Sequence, residues 1–369
     1  MISPKDFVDK LIASGISFFT GVPDSLLKGI IAEIEKKYKQ SHYITANEGA
    51  AVGLAAGYHF STGEVPLVYL QNSGLGNMVN PLTSLTAKEV YSIPMLLLIG
   101  WRGEPGIRDE PQHDVMGKIT PALLNLLHIP FIVIKKGDEN AWREAIDDSL
   151  EACGRDQKPV AILVEDACFE TEDLALPLVY EMDSEKAVSI LYSTFKKDDI
   201  VICTTGKIGR VFYKINSRHK RLEKYFLNVG SMGHALSIGT GVAMHKKQRV
   251  FILDGDGALL MHTGALALAA SLQLSNLVYI VLNNGVHQSV GNQPTFGFFV
   301  DFCLIAKGCG FSNPARIEHM ATLKEWSFDK DKNDFVEIRI NSYTQEPLPR
   351  PDETPEEAKK RFMINLGTA

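Results

Sequence analysis

Two short segments of this chain put a carboxylate and a carboxamide where a metal-bound anion can be held. Gly255-Asp256-Gly257 follows the apolar, β-rich run 250–253, and Asn283-Asn284-Gly285 follows a second such run, 277–282. The alanine- and leucine-rich stretch 258–274 between them is long enough for a helical crossover, so the runs read as parallel strands of a βαβ unit. Both segments then lie at the carboxyl edge of one sheet, where open parallel sheets bind ligands. The glycines let the backbone approach a ligand closely, and a helix starting near Ala258 turns its free N–H groups and positive dipole end to the same spot. Such a place suits a diphosphate. A phosphate-bound Mg²⁺ takes hard oxygen ligands, and Asp256, the amide oxygen of Asn284 and the carbonyl of Val286 are available donors.

Positioning these residues takes a larger α/β framework. In the first half, strand signals at 16–20, 43–46, 65–70, 95–99, 131–134 and 160–164 alternate with helical patterns that include 25–39, 48–60 and 139–152. Six strands with interleaved helices predict a doubly wound parallel sheet. Ahead of them, Ser3 caps an amphipathic helix with Pro4 in its first turn. The acidic, aperiodic segment 165–177 opens a linker, giving domains at 1–164 and 184–369 joined by 165–183. The second half repeats the alternation, with a helix at 184–195, strands at 200–203 and 225–228, a helix at 235–245, the βαβ unit and a last strand at 335–340. The halves read as two copies of one architecture. The proline-rich tail 345–355 reads as surface, and Thr354-Pro355-Glu356-Glu357 caps a final short helix.

Composition excludes several classes. The chain has 369 residues, 45% apolar and 22% charged, with net charge −6. That is a globular protein without the basic surface that nonspecific nucleic-acid binding needs. Five cysteines without a CxxC pair make neither a disulfide framework nor an iron–sulfur site, which fits a reducing cytoplasm. The N-terminus does not read as a signal peptide. Residues 257–300 lack Asp, Glu, Lys and Arg, but Gln273, Asn276, Asn283 and Asn284 interrupt them, so they read as a central strand with its helix and not a membrane span. The nicotinamide fingerprint GxGxxG is absent, because Gly74-Leu75-Gly76 continues as Asn77-Met78-Val79.

Gly255-Asp256-Gly257 and Asn283-Asn284, with 25 residues between them, resemble the signature of the thiamine diphosphate enzymes. The resemblance implies a pyrimidine-binding domain followed by a diphosphate-binding domain. It makes Asp256, Asn284 and the Val286 carbonyl the Mg²⁺ ligands, with Gly255, Gly257, Ala258 and Asn283 shaping the diphosphate site. Thr45-Ala46-Asn47-Glu48-Gly49-Ala50-Ala51 then acquires a role. On its own Glu48 only suits a helix N-terminus. In this family a glutamate so placed bonds the aminopyrimidine and makes its exocyclic nitrogen basic enough to remove the thiazolium C2 proton. The small residues 49–57 let another backbone pack closely, and the family's half-sites meet across a subunit interface, which implies a homodimer or higher oligomer. In Asn228-Val229-Gly230-Ser231-Met232-Gly233-His234, Met232 would be the wedge that bends the cofactor and the Gly230 carbonyl would hold its amino group. Thr204-Thr205-Gly206-Lys207 would border the same pocket.

The substrate end rests on Gly21-Val22-Pro23-Asp24-Ser25-Leu26-Leu27, Trp101-Arg102-Gly103, Asp109-Glu110-Pro111-Gln112-His113 and His287-Gln288-Ser289. These look like the 2-oxoacid decarboxylases of that family, specifically those acting on phosphonopyruvate, and the likeness runs along essentially the whole chain. It implies a carbon–carbon lyase that releases carbon dioxide and phosphonoacetaldehyde, as in phosphonate biosynthesis. Such a substrate needs donors for two anions. Ser25, His113, Arg102, Lys207 and His287 are the candidates, with Ser25 and His113 ranked first; ordinary surface cations are the plainer reading of Arg102 and Lys207. Asp24, His113 and His287 are candidates for the later proton transfers. An adjacent His-His pair is missing and there is no room for a middle domain, so the larger flavin-binding relatives do not fit. The rivals are sulfopyruvate decarboxylation, often carried by two shorter chains, and a catalytically silent thiamine diphosphate-binding regulatory scaffold. Glu48 together with the metal ligands speaks against the scaffold.

Overall fold

A computed structural model describes residues 1–368 apart from 138–139, 172, 329–331 and 344–346. The chain divides into two compact units, Met1–Ala175 with Ser289–Gln293, and Leu176–Gln288 with Pro294–Ala369. In the first, β1 (Phe19–Gly21), β2 (His42–Ile44), β3 (Leu67–Gln71), β4 (Leu96–Gly100), β5 (Phe131–Ile134) and β6 (Val160–Val164) form a six-stranded sheet. All its pairings are parallel, in the order β2-β1-β3-β4-β6-β5. Alternate residues feed two cores. Leu96 and Leu98 enter one with Phe7, Ile31 and Trp142, while Leu97 and Ile99 enter the other with Val52, Ala55 and Met78. Each such buried leucine or isoleucine contributes about 1.5–3 kcal/mol, enough to fix the register of strands that are apolar on both faces.

Helix boundaries follow local chemistry. Ser3 caps Pro4–Ala13 by accepting the Asp6 N–H. The helix expected over 25–39 runs only over Lys28–Lys37, because the Asp24 carboxylate takes the Leu26 N–H at 2.9 Å and holds the preceding residues in turns. The helix expected from Glu139 runs over Ala141–Asp156; Glu139 lies outside the described residues. Helices Leu75–Pro81 and Asp114–Leu126 were not anticipated, since internal Pro81 and Pro121 weaken the helical signal.

The second unit has β7 (Ile200–Cys203), β8 (Tyr225–Leu227), β9 (Val250–Gly255), β10 (Leu277–Asn283), β11 (Ala315–Ile317) and β12 (Asp334–Arg339). The strands lie in the order β8-β7-β9-β10-β12-β11, again all parallel. This repeats the strand order of the first unit, so the two sheets are copies of one topology. Each reverses its winding between β1 and β3, or between β7 and β9, and again at its far edge, where β6 lies between β4 and β5 and β12 between β10 and β11. Lys207–His219, which joins β7 to β8, is a helix absent from the sequence expectation, although Val211, Phe212 and Ile215 carry its buried stripe. The crossover after β9 is two helices, Asp256–Met261 and Ala265–Ser271, and the first begins at Asp256 itself and not at Ala258. Thr354 and Glu357 close a reciprocal capping box on Pro355–Asn365. In the tail, Gln345 lies outside the described residues, and Leu348 is buried against expectation, its carbonyl accepting a hydrogen bond from Arg210. No helix among the described residues is long and apolar enough to cross a membrane.

Candidate active site

Four loops leave the carboxyl edge of the first sheet around its switch point. They carry Asp24 after β1, Glu48 after β2, Gly74 and Asn77 after β3, and Arg102 after β4. Glu48 is the first residue of Glu48–Thr62, whose cap Asn47 accepts the Gly49 N–H at 2.8 Å. That start fixes the carboxylate beside the helix end, where it is 5% exposed. Its Oε2 accepts a hydrogen bond from the Asn77 amide at 2.7 Å. A β-carbon on Gly74 would fall on the Glu48 carboxylate, so that glycine makes the room it occupies. Burial raises the Glu48 pKa, and the Asn77 bond offsets only part of the effect. This carboxyl group therefore takes or holds a proton more readily than an exposed one.

Asp24 is fully buried, and its Oδ1 has no hydrogen-bond partner among the described residues. Burial pushes its carboxyl up to about 6, against the opposing pull of Arg102 and three backbone N–H groups. Arg102 gathers the neighbouring candidates. Its Nη1 donates to Ser25 Oγ at 2.7 Å and its Nε to Asp109 Oδ2 at 2.7 Å. Asp109 also accepts the N–H groups of Gly103 at 2.9 Å and Glu110 at 2.7 Å, closing the loop on itself. Asp109 consequently lies well below the usual carboxylate range. Arg102 is thus a half-buried, paired cation with one fork on Ser25, and not an ordinary surface charge. His113 is half-buried, and burial with the Arg102 charge lowers its pKa, leaving a neutral imidazole at pH 7.

Ionising Asp24 inside the fold is costly. Its folded pKa lies above the unfolded value near 3.8, so the stability it contributes is present below about pH 4 and is lost as pH rises through about 6. Asp24→Asn should therefore raise stability at about pH 8 by up to about 3 kcal/mol and flatten the pH dependence between about 4 and 6. Urea denaturation across that range checks it.

In the second unit, β9 and β10 pair with Leu282 opposite Gly255, so Asp256 and Asn284 leave the sheet side by side. The Asn284 N–H points at Asp256 Oδ1 at 3.4 Å, and Thr295 donates to Oδ2. Burial, with the Glu337 charge adding to it, pushes Asp256 up to about 6. The Asn284 amide oxygen accepts the Val286 N–H at 3.1 Å, which folds the turn so that both residues follow Asp256. A β-carbon on Gly257 would stand 3.1 Å from His287 Nδ1 and 3.4 Å from Met232 Cε, so glycine keeps a gap between those side chains. Burial lowers His287 to about 4, making it neutral, although the residue as a whole keeps some exposure. Ala258 is buried in the first turn of the short helix. At the end of β7, Thr205 Oγ1 donates to the Val229 carbonyl at 2.8 Å, tying its loop to the one that carries Gly230 and Met232. Gly206 at φ +87° caps the helix that begins with Lys207. No cluster of three His, Cys, Asp or Glu side chains able to hold a metal occurs among the described residues; the donors at Asp256 comprise one carboxylate, an amide and a carbonyl.

Several residues here have a place at the site that the sequence does not assign to them. Asn77 in helix Leu75–Pro81, Gly74 just before it, Thr295 and the Asp109 clasp are polar or small residues, and nothing marks them locally as site residues. Glu337 did leave a signal, a charge inside the apolar run Phe335-Val336-Glu337-Ile338. It is fully buried and accepts from Asn283 at 2.8 Å, Arg316 at 2.8 Å and Arg339 at 3.1 Å. Asn283 in turn accepts the Gly285 N–H at 3.0 Å and donates to the Gly297 carbonyl at 2.7 Å. Glu337 therefore positions the turn bearing Asn284 and Val286. With Mg²⁺ held by Asp256, Asn284 and Val286 as the resemblance implies, Glu337→Gln should weaken its binding by about 10-fold or more, read as the Mg²⁺ concentration that half-saturates cofactor binding.

Known proteins resemble the chain in both units. Residues 4–120 match the N-terminal TPP binding domain of thiamine pyrophosphate enzymes, and residues 204–329 match their C-terminal TPP binding domain. A phosphonopyruvate decarboxylase of Streptomyces hygroscopicus is 31% identical over 98% of this chain and 93% of its own length. One from Streptomyces viridochromogenes is 31% identical over 100% and 96%. A sulfopyruvate decarboxylase of Methanosarcina acetivorans is 26% identical over 99% and 98%.

Proposed function

Since this chain belongs to the thiamine diphosphate-dependent decarboxylases, we propose that it is a carbon–carbon lyase that converts phosphonopyruvate to phosphonoacetaldehyde and carbon dioxide with thiamine diphosphate and Mg²⁺. The observation that carries this reading is the Glu48 carboxyl group, buried beside a helix start with a raised pKa and one amide partner. A carboxyl of that kind suits a neutral ring nitrogen and not a cation. Bound thiamine diphosphate supplies a thiazolium able to take up the electron pair left when carbon dioxide departs.

The residues present fit both groups. Asp256, costly to ionise while buried, gains from a divalent cation, and Asn284 with the Val286 carbonyl would complete the protein's share of the ligands. Gly255, Gly257 and Ala258 leave space for a diphosphate; Met232 and Gly230, with Thr205 and Gly206, would flank the rings. On the substrate side, Arg102 and Ser25 form a donor pair for an anionic group, with His113 and Lys207 as further donors. Asp24, at about 6, carries a proton in part of the population near neutral pH and is assigned the proton transfers, with the neutral His113 and His287 as acceptors.

The two half-sites come together in a homodimer or higher oligomer. The helix Glu48–Thr62 supports this with an apolar outer face, where a β-carbon on Gly53 or Gly57 would meet no described residue within 4 Å beyond the helix itself, and Leu54 and Phe60 are exposed. Five free cysteines suit a reducing cytoplasm.

Sulfopyruvate is the second reading. Fusion of both halves in one chain does not argue against it, because the Methanosarcina relative matches over nearly its full length as well. Carbon dioxide release from phosphonopyruvate, sulfopyruvate and pyruvate, measured side by side, separates the readings. Phosphonopyruvate should exceed pyruvate by at least about 100-fold in kcat/KM, since a substrate lacking the second anion leaves the donors unpaired. Comparable rates on pyruvate would remove the substrate assignment, and no release from any of them would leave the silent scaffold.

A further inference from the structure

At the other edge of the second sheet, where the chain enters β7 and β8, a cleft of about 610 Å³ opens between helix Ser184–Thr194 and the segment after helix Lys207–His219. Tyr192, Lys197, Arg218, His219, Lys220 and Arg221 line it. Among the described residues none of the four lysines and arginines has a carboxylate within ion-pair distance. Of the two acids on the lining, Glu185 is taken by Lys214 at 2.8 Å and Glu223 is exposed at the rim.

The cleft is built, not incidental. Buried Asn216 accepts from Tyr192 Oη at 2.7 Å and from the Leu222 N–H at 3.1 Å, and it donates to the Leu222 carbonyl at 2.9 Å. This pins the segment that presents the cations. The Arg221 N–H reaches Tyr192 Oη at 3.3 Å, and its guanidinium lies 4.6 Å over the Tyr192 ring. Two of its donors, Nε and Nη2, are buried with no hydrogen-bond partner among the described residues. Desolvated guanidinium donors without an acceptor are destabilising, and their planar fork matches two oxygens of a tetrahedral oxyanion. Helix-dipole complementarity accounts for Arg218 and His219 in the last turn. It does not account for Arg221, beyond the helix, or for Lys197 on another element.

We propose that this cleft is a second anion site, at the sheet edge opposite the candidate active site, which takes a small molecule bearing a phosphate or phosphonate dianion. The volume exceeds that of the bare ion and leaves room for an organic remainder. The proposal is independent of the substrate assignment.

Titration calorimetry of the cofactor-loaded protein with inorganic phosphate and with methylphosphonate tests it. Saturable binding of one anion per chain is expected, weakened about 10- to 100-fold in Arg221→Met and several-fold in Lys197→Ala, with basal decarboxylation unchanged in both. Tighter binding of phosphate or of methylphosphonate identifies which head group the site takes, and either supports it. Lys197 is exposed, so Lys197→Ala remains informative if losing the Arg221 stack unsettles the loop. No binding up to about 10 mM, or isotherms that both variants leave unchanged, would overturn the proposal, the latter by placing the anion elsewhere.

Discussion

Glu48→Gln is expected to lower turnover by about 100- to 10,000-fold while the chain stays folded. Glutamine keeps the size of the side chain, and its amide can still meet the Asn77 amide that now donates to Glu48 at 2.7 Å. The site between Gly74 and Asn77 therefore survives as packing. What is lost is the exchangeable proton of a carboxyl group whose pKa burial has raised. Stability should hold or rise slightly, because a neutral group replaces one that is costly to ionise when buried. Folding and turnover thus separate, and steady-state kinetics beside urea denaturation reads both. Slowed exchange of the cofactor C2 proton would place the defect at the step assigned to Glu48. Unchanged turnover would remove that assignment.

Asp256→Asn is expected to weaken binding of the magnesium–cofactor complex by at least about 100-fold. Its effect on stability should change sign with the ligand. Without ligand, the variant is more stable near pH 8 by up to about 3 kcal/mol, since burial has pushed the native carboxyl up to about 6. With saturating Mg²⁺ and thiamine diphosphate the order reverses, because the native protein gains binding free energy that the variant cannot. Thermal melts with and without the two ligands check the crossing. A variant equally stabilised by ligand would show that Asp256 is not the anchoring carboxylate.

The sequence made some of this arrangement legible and concealed the rest for physical reasons. Asp256 and Asn284 could be placed side by side because an apolar run, a helical spacer and a second apolar run admit only a parallel crossover. Glu48 could be placed at a helix start because Asn47 and the small residues after it mark that boundary. The Lys207–His219 helix is equally marked by the apolar spacing of Val211, Phe212 and Ile215. The split crossover was not legible, since residues 258–274 read as one continuous helical stretch and the break at His262 to Gly264 has no strong breaker but a single glycine. The supporting bonds are long-range. Asn77 lies 29 residues from Glu48, Glu337 lies 54 from Asn283, and Arg102 lies 77 from Ser25. Their polarity could be read in advance, but only the folded sheet edges could reveal their partners.

Glu48 in one unit and Asp256 in the other are expected to grip opposite ends of one cofactor. A crystal structure of the protein grown with thiamine diphosphate and Mg²⁺ tests it most directly. The predicted result is a metal-bound diphosphate beside Asp256, Asn284 and Val286, with the aminopyrimidine against Glu48 of the partner subunit. A cofactor whose pyrimidine lies away from every Glu48, or a metal bound without Asp256, would contradict it.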